Sequence, residues 1–127
     1  MPINILVVDD SAVMRSMIKK TIHRSNLDVG EIHEACNGKE GLEILDQHWL
    51  DLLFIDVNMP VMDGMEMLDI IRNNPETRAL PILIVSTESN KERIQLINEH
   101  NAAFVHKPFT PEMLREKILS VLGVLEH

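Results

Sequence analysis

Five side chains stand where chemistry is available: Asp9, Asp10, Asp56, Ser86 and Lys107. Each follows a short apolar run. Ile5-Leu6-Val7-Val8 leads into Asp9-Asp10, and Leu52-Leu53-Phe54-Ile55 leads into Asp56. Ile82-Leu83-Ile84-Val85 ends in Ser86-Thr87, and Ala102-Ala103-Phe104-Val105 precedes Lys107. Runs this short and this apolar read as strands of a parallel sheet, buried on both faces. The residues just past their C-terminal ends then lie on the edge where open α/β sheets bind ligands. With the strands parallel, these groups converge on one pocket of three acids, a hydroxyl and a lysine. Three neighbouring carboxylates repel one another, so without a cation at least one is pushed toward protonation. A hard divalent cation removes that conflict, and oxygen ligands suit Mg²⁺.

Taken singly, these residues have plainer readings. An Asp-Asp pair at a strand end is more often a turn or a helix cap. Ser86-Thr87 is an ordinary helix start, and Lys107 alone is a solvated charge. Their common placement at successive strand ends is what gives them weight.

The elements that must position them follow in order. Residues 3–8 read as the first strand. Ser11 caps a helix over residues 12–24, with Met14, Met17, Ile18 and Ile22 on one face. Residues 30–35 alternate more weakly and suit a sheet edge. Asn37-Gly38 marks a turn and cap before a helix at about 38–48. Residues 50–56 form the strand that delivers Asp56. Pro60 and Asp63-Gly64 then force a loop before a helix at about 64–72, with Met67, Leu68 and Ile71 inward. A strand over 82–86, a polar helix at about 90–100 and a strand over 102–106 follow. Asn101, at that junction, tolerates the left-handed conformation that ends helices. Thr110-Pro111-Glu112 is a cap with Pro at the first helical position, and Leu114, Ile118, Val121 and Leu122 give the last helix its buried face. Five βα units of this kind predict a parallel sheet covered by helices on both sides.

Composition narrows the function classes. A chain of 127 residues suits one domain with a core that needs no staples. Twelve Lys and Arg against twenty Asp and Glu give a formal charge of −8, a poor match to direct nucleic-acid binding. One cysteine, Cys36, excludes an intrachain disulfide. The apolar run from Ile3 is too short for a signal peptide, and no window suits a membrane span, so a cytoplasmic domain is expected. Met59, Met62, Met65 and Met67 read as gap-filling residues and not as a soft-metal site. The six histidines show no ligand spacing and read as surface residues. Arg15, Lys19, Lys20 and Arg24 make a basic stripe on the first helix, read as a solvated face.

Asp9-Asp10, Asp56 with Asn58, Pro60 and Gly64 behind it, Ser86, and Lys107-Pro108-Phe109 together resemble the receiver domain of two-component response regulators. The stretches Asp9-Asp10-Ser11-Ala12-Val13-Met14-Arg15 and Asn58-Met59-Pro60-Val61-Met62-Asp63-Gly64 are most similar to the single-domain chemotaxis type (CheY-like). The resemblance spans roughly residues 3 to 123. It implies a single flavodoxin-like (βα)5 domain of class α/β, with a five-stranded parallel sheet of order 2-1-3-4-5. Residues 1–124 are expected to form the receiver domain, and Leu125-Glu126-His127 reads as a tag remnant.

The same resemblance implies roles. Asp56 takes a phosphoryl group from a histidine kinase. Asp10, Asp56 and the backbone carbonyl of Asn58 hold Mg²⁺, with Asp9 acting through water. Lys107 and Ser86 stabilise the phosphoryl group, and a cis Lys107-Pro108 bond aims the lysine. Ser86 and Phe104 form the switch, which alters the face of the last two helices and the last strand. Phe104 lacks the hydroxyl of the tyrosine found in many chemotaxis-type members. Asn58, Thr87 and Glu88 match positions that tune phosphoryl lifetime; β-branched Thr87 stands where a smaller residue is common. The implied partners are the kinase, an effector such as a flagellar motor component, and a phosphatase. A monomer is expected, and no enzyme beyond its own phosphorylation and dephosphorylation.

Rival readings are weaker. A phosphohydrolase of the haloacid-dehalogenase type would need an aspartate two residues after the first, where Asn58 stands. A Rossmann-type cofactor domain would need a Gly-rich first loop in place of Asp9-Asp10-Ser11. A phosphorylation-independent adaptor of receiver fold would be favoured by loss of an acid or of Lys107, and all are present. A phosphorelay intermediate remains the alternative within the family. Trp49 lies seven residues before Asp56 and is expected near the opposite sheet edge, where its fluorescence reports Mg²⁺ poorly.

Overall fold

Ile5, Leu6, Val7 and Val8 are all buried, and a strand apolar on both faces must be covered on both. In the computed structural model, which describes residues 2–57, 59–87, 90–107 and 109–122, this run belongs to β1 (Ile3–Val8). The chain continues through α1 (Ala12–His23), β2 (Val29–Ala35), α2 (Gly38–Gln47), β3 (Leu52–Ile55) and α3 (Gly64–Asn73). It ends with β4 (Ile82–Ser86), α4 (Lys91–Glu99), β5 (Ala103–His106) and α5 (Pro111–Val121). The strands form one parallel sheet of order β2-β1-β3-β4-β5. The expected (βα)5 architecture and strand order are both observed.

Strand alternation divides the core into two layers. Leu6, Val8, Leu53, Ile55, Ile82 and Ile84 face Met67, Leu68 and Ile71 of α3 and Ile97 of α4. Ile5, Val7, Leu52, Phe54, Leu83 and Val85 face Ile18 and Ile22 of α1 and Leu114 and Ile118 of α5. Each fully buried side chain of this kind contributes about 1.5–3 kcal/mol. The sheet is therefore held rigidly from both sides, and its C-terminal edge is a fixed platform.

Every helix begins on a side-chain cap. Ser11, Asn37, Asp63, Asn90 and Thr110 accept from the N–H groups of Met14, Glu40, Glu66, Glu92 and Met113, respectively. Each cap stabilises its helix by about 1 kcal/mol. Asn101 has φ 57°, as the left-handed helix end requires.

The structure corrects details. The strand expected over 50–56 is only Leu52–Ile55, because Asp51 is used differently: its carboxylate accepts the Asn4 N–H at 2.8 Å, and its own N–H donates to the Asn4 carbonyl. Met17, expected on the inner face of α1, is exposed; Thr21 takes the inner position and its hydroxyl bonds the Met17 carbonyl at 3.0 Å. Trp49 is 82% exposed and lies with Ile3 and Pro81 at the N-terminal edge of the sheet. Among the described residues no helix is long and apolar enough to cross a membrane.

Candidate functional site

Sheet register brings the acids and the lysine to one place. Val8 pairs with Ile55, so Asp9 and Asp56 each emerge one residue past the same level. Ser86 pairs with His106, which puts Lys107 one step beyond the serine. Main-chain bonds extend the ladder past the strand ends. Asp9 N–H donates to Ala35 O (3.0 Å), Asp56 N–H to Val8 O (2.9 Å) and Lys107 N–H to Ser86 O (2.7 Å).

The side chains converge. One carboxylate oxygen each from Asp9, Asp10 and Asp56 lies within 4.8 Å of the others. Asp9 and Asp56 are only 2% and 7% exposed, while Asp10 faces solvent. The Lys107 ammonium stands 3.3 Å from Asp9 Oδ2 and 3.6 Å from Asp56 Oδ1. Asp9 is further committed, because its Oδ1 accepts the Ser11 N–H at 2.8 Å. Asp10 is thus the acid left most open to a ligand from solvent. Ser86 is fully buried at the end of β4, Thr87 beside it is exposed, and Phe104 is half-buried against the layer that contains α3 and α4.

The loop after Asp56 is built around close backbone approaches. Gly64 N–H donates to Val57 O at 2.9 Å, and a Cβ on Gly64 would collide with the Asp56 carbonyl oxygen. Glycine is required there by contact with the very residue it follows by eight positions. Within the loop, Met62 N–H donates to Pro60 O at 2.7 Å, and Val61 carries φ 69°. A β-branched residue in that region is strained.

Arg15 is a functional neighbour that the sequence reading passed over as part of a solvated stripe. Its Nη1 donates to the Asp9 carbonyl at 2.6 Å, and its Nε bonds Glu34 Oε1 at 3.0 Å. Lys19 Nζ bonds the other Glu34 oxygen at 2.8 Å. The Lys19 hydrogen bond, helped by Arg15, holds the Glu34 carboxyl below its ordinary range. This chain of contacts ties α1 and the edge strand β2 to the backbone of Asp9. No motif spacing announces it, since Arg15 and Glu34 meet only after β2 pairs with β1.

Asn58 and Glu88, assigned metal-binding and rate-tuning roles above, and Pro108, with its expected cis bond, lie outside the described residues. Among the described groups the donors at the pocket are carboxylate oxygens, two of them buried, with one ammonium to offset three acids. That donor set fits a hard oxygen-seeking cation such as Mg²⁺ and does not suit a soft metal.

Comparisons agree with this geometry. The family model described as response regulator receiver domain matches residues 5–119. The chain is 38% identical over 121 residues to chemotaxis protein CheY1 of Helicobacter pylori, covering 94% of this chain and 96% of that protein. It is equally identical to a CheY homolog of Campylobacter jejuni, over 94% of this chain and 92% of that one. In structure it matches Vibrio cholerae chemotaxis protein CheY4 with a TM-score of 0.84 at 32% identity, covering 96% of this chain and all of the other. With an acidic pocket and a lysine at the C-terminal edge of a 2-1-3-4-5 sheet, and a family match across nearly all of its length, the chain belongs to the response regulator receiver family.

Proposed function

We propose that this receiver domain is a phosphorylation-activated switch of a two-component system, with Asp56 as phosphoryl acceptor and an output in chemotaxis or motility control. The observation that carries the reading is the Lys107 ammonium held within 4 Å of both Asp9 and Asp56 at the sheet edge. The similarity to proteins named as chemotaxis regulators supports the output.

In the transfer step, an Asp56 carboxylate oxygen attacks the phosphorus of a phosphohistidine on the kinase. The N–P bond breaks, its electron pair stays on the imidazole nitrogen, and an acyl phosphate forms. Negative charge spreads over the equatorial oxygens, so the work of the site is positioning and charge stabilisation. Lys107 supplies a point charge to one oxygen, and the Ser86 hydroxyl donates to another. Asp10, Asp56 and the Asn58 carbonyl, with Asp9 through water, would hold Mg²⁺, which would supply positive charge to the phosphoryl oxygens. Water later cleaves the P–O bond and restores the carboxylate. The domain catalyses only these two reactions of its own side chain, in the cytoplasm.

Phosphorylation adds about −1.5 to −2 charge at Asp56. The Ser86 hydroxyl moves onto the phosphoryl group and Phe104 turns inward behind it, which changes the affinity of the α4-β5-α5 face for an effector. This is a population shift between two arrangements of one fold. The burial of Ser86 and the half-buried Phe104 on the neighbouring strand, opposite Ile84, suit such a coupling.

Intact mass after incubation with acetyl phosphate tests the reading. One added phosphoryl group that needs both Mg²⁺ and Asp56, absent in Asp56→Asn, is the expected result. No gain with Mg²⁺ binding intact would make the domain a phosphorylation-independent adaptor. Rapid decay without a partner supports a switch; a long-lived phosphoryl group would favour a relay intermediate.

A further inference from the structure

Away from the acidic edge, the fold assembles a second set of metal-ligating side chains that their spacing in sequence conceals. Glu31 and His33 lie on β2, and His48 caps the C-terminus of α2. One ligand atom from each lies within 4.8 Å of the other two. His33 Nε2 is 2.9 Å from Glu31 Oε2, and the His33 and His48 rings stack with centroids 4.2 Å apart, tilted by 33°.

The three residues are held by different parts of the main chain. His33 sits in the ladder opposite Leu6. A register shift between Ile3 and Ile5 leaves Asn4 free to accept the Glu31 N–H through Oδ1 at 2.9 Å. His48 N–H donates to Ile44 O at 3.0 Å. Sheet alternation puts Ile32 against the α1 and α5 layer, so His33 points to the other face, where α2 packs. The side chains are half-buried or exposed and free to adjust, while their backbones are fixed.

Two imidazoles and a carboxylate are a donor set for a borderline divalent ion, not for Mg²⁺ or Ca²⁺. A tetrahedral ion with bonds near 2.0–2.1 Å wants its donors roughly 3.3 Å apart. With every donor already within 4.8 Å of the others, no pair has to close by more than about 1.5 Å, within the reach of a side-chain rotation. A net charge of −8 favours any bound cation. We propose that Glu31, His33 and His48 form a binding site for Zn²⁺ or a similar borderline divalent ion, with the remaining position open to water. The ion would join the free edge strand β2 to the end of α2.

Trp49, the sole tryptophan, follows His48 directly and gives a local probe. The full chain is titrated with Zn²⁺ by calorimetry in excess Mg²⁺, which occupies the acidic pocket. In parallel, Cu²⁺ is used to quench Trp49. The expected result is one Zn²⁺ per chain, strong quenching by Cu²⁺ and none by Mg²⁺. His33→Gln and His48→Gln should each weaken Zn²⁺ binding by at least about tenfold. Both variants should still accept a phosphoryl group, which shows that they are folded. Zn²⁺ binding retained in both variants, abolished by excess Mg²⁺, or saturating at one ion per two chains would overturn the site. Quenching by Cu²⁺ that survives in His48→Gln would do the same.

Discussion

Lys107 places its ammonium 3.3 Å from Asp9 Oδ2, across 98 residues of sequence, and leaves Asp56 almost as near at 3.6 Å. The lysine and a bound divalent cation would therefore draw on the same carboxylates. Removing the lysine should have opposite effects on binding and on chemistry. Lys107→Met is expected to bind Mg²⁺ about three- to tenfold more tightly, because a competing positive charge is gone. It should accept a phosphoryl group about 100-fold more slowly, because the developing charge loses a partner. Calorimetry and timed mass spectrometry read the two effects, and weaker Mg²⁺ binding in the variant would contradict the shared-charge account.

Gly64 opens α3, where Ala would ordinarily gain up to about 1 kcal/mol over Gly. Here the sign should reverse. A Cβ meets the Asp56 carbonyl oxygen, which is backbone and cannot swing away. Gly64→Ala is expected to destabilise by about 1–3 kcal/mol in urea unfolding. Because the colliding group belongs to Asp56, phosphoryl acceptance should fall as well. A variant as stable as the parent would mean that the loop relaxes without strain.

Val61 makes the opposite case. It is exposed, so its side chain adds little packing, yet its φ of 69° is unfavourable for a β-branched residue. Val61→Asn should raise stability by about 1 kcal/mol, read as a higher urea midpoint with an unchanged slope. No change would indicate that the loop does not hold this conformation in solution.

The parts of the fold that were legible share one cause. Strands buried on both faces must be continuously apolar, so their polar successors mark the sheet edge, as Asp9, Asp56 and Ser86 do. The cap residues were legible because an orphan N–H needs a short polar side chain at a defined offset. The strand order was not in the periodicity at all and came with the family resemblance. Arg15 stayed hidden because its partners, the Asp9 carbonyl and Glu34, are defined by strand pairing. His33 and His48 looked unrelated because their meeting depends on how α2 packs on the edge strand. The start of β3 at Leu52 was hidden as well, because the bond from the Asn4 N–H to the Asp51 carboxylate depends on how β3 meets β1.

Glu34 links pH to stability. Its carboxyl lies below the ordinary value of 4.5, first through the Lys19 hydrogen bond and then through Arg15. A depressed folded-state pKa stabilises above the unfolded value and loses that effect as pH falls through the folded one. Both cations and the carboxylate are solvent-accessible, so the contribution is below about 1 kcal/mol. Glu34→Gln should be less stable than the parent near pH 7 by that amount, and the two should converge as pH falls below the ordinary carboxylate value and through the depressed folded one. A gap that persists unchanged at pH 3 would remove the ion pair as its cause.

Thr87 is exposed and directly follows the fully buried Ser86. Its methyl group is the feature that a smaller residue would lack, and the expectation is that this bulk restricts the access of a phosphodonor or of water to Asp56. Thr87→Ala should speed phosphoryl uptake from acetyl phosphate, or loss of the phosphoryl group, by about two- to fivefold. Thr87→Ser separates the two parts of the side chain. If bulk is the cause, Ser behaves like Ala; if the hydroxyl holds a water or the donor, Ser behaves like the parent. Rates unchanged in both variants would show that Thr87 does not gate the pocket, and the lifetime of the phosphoryl group would then rest on other residues at the rim.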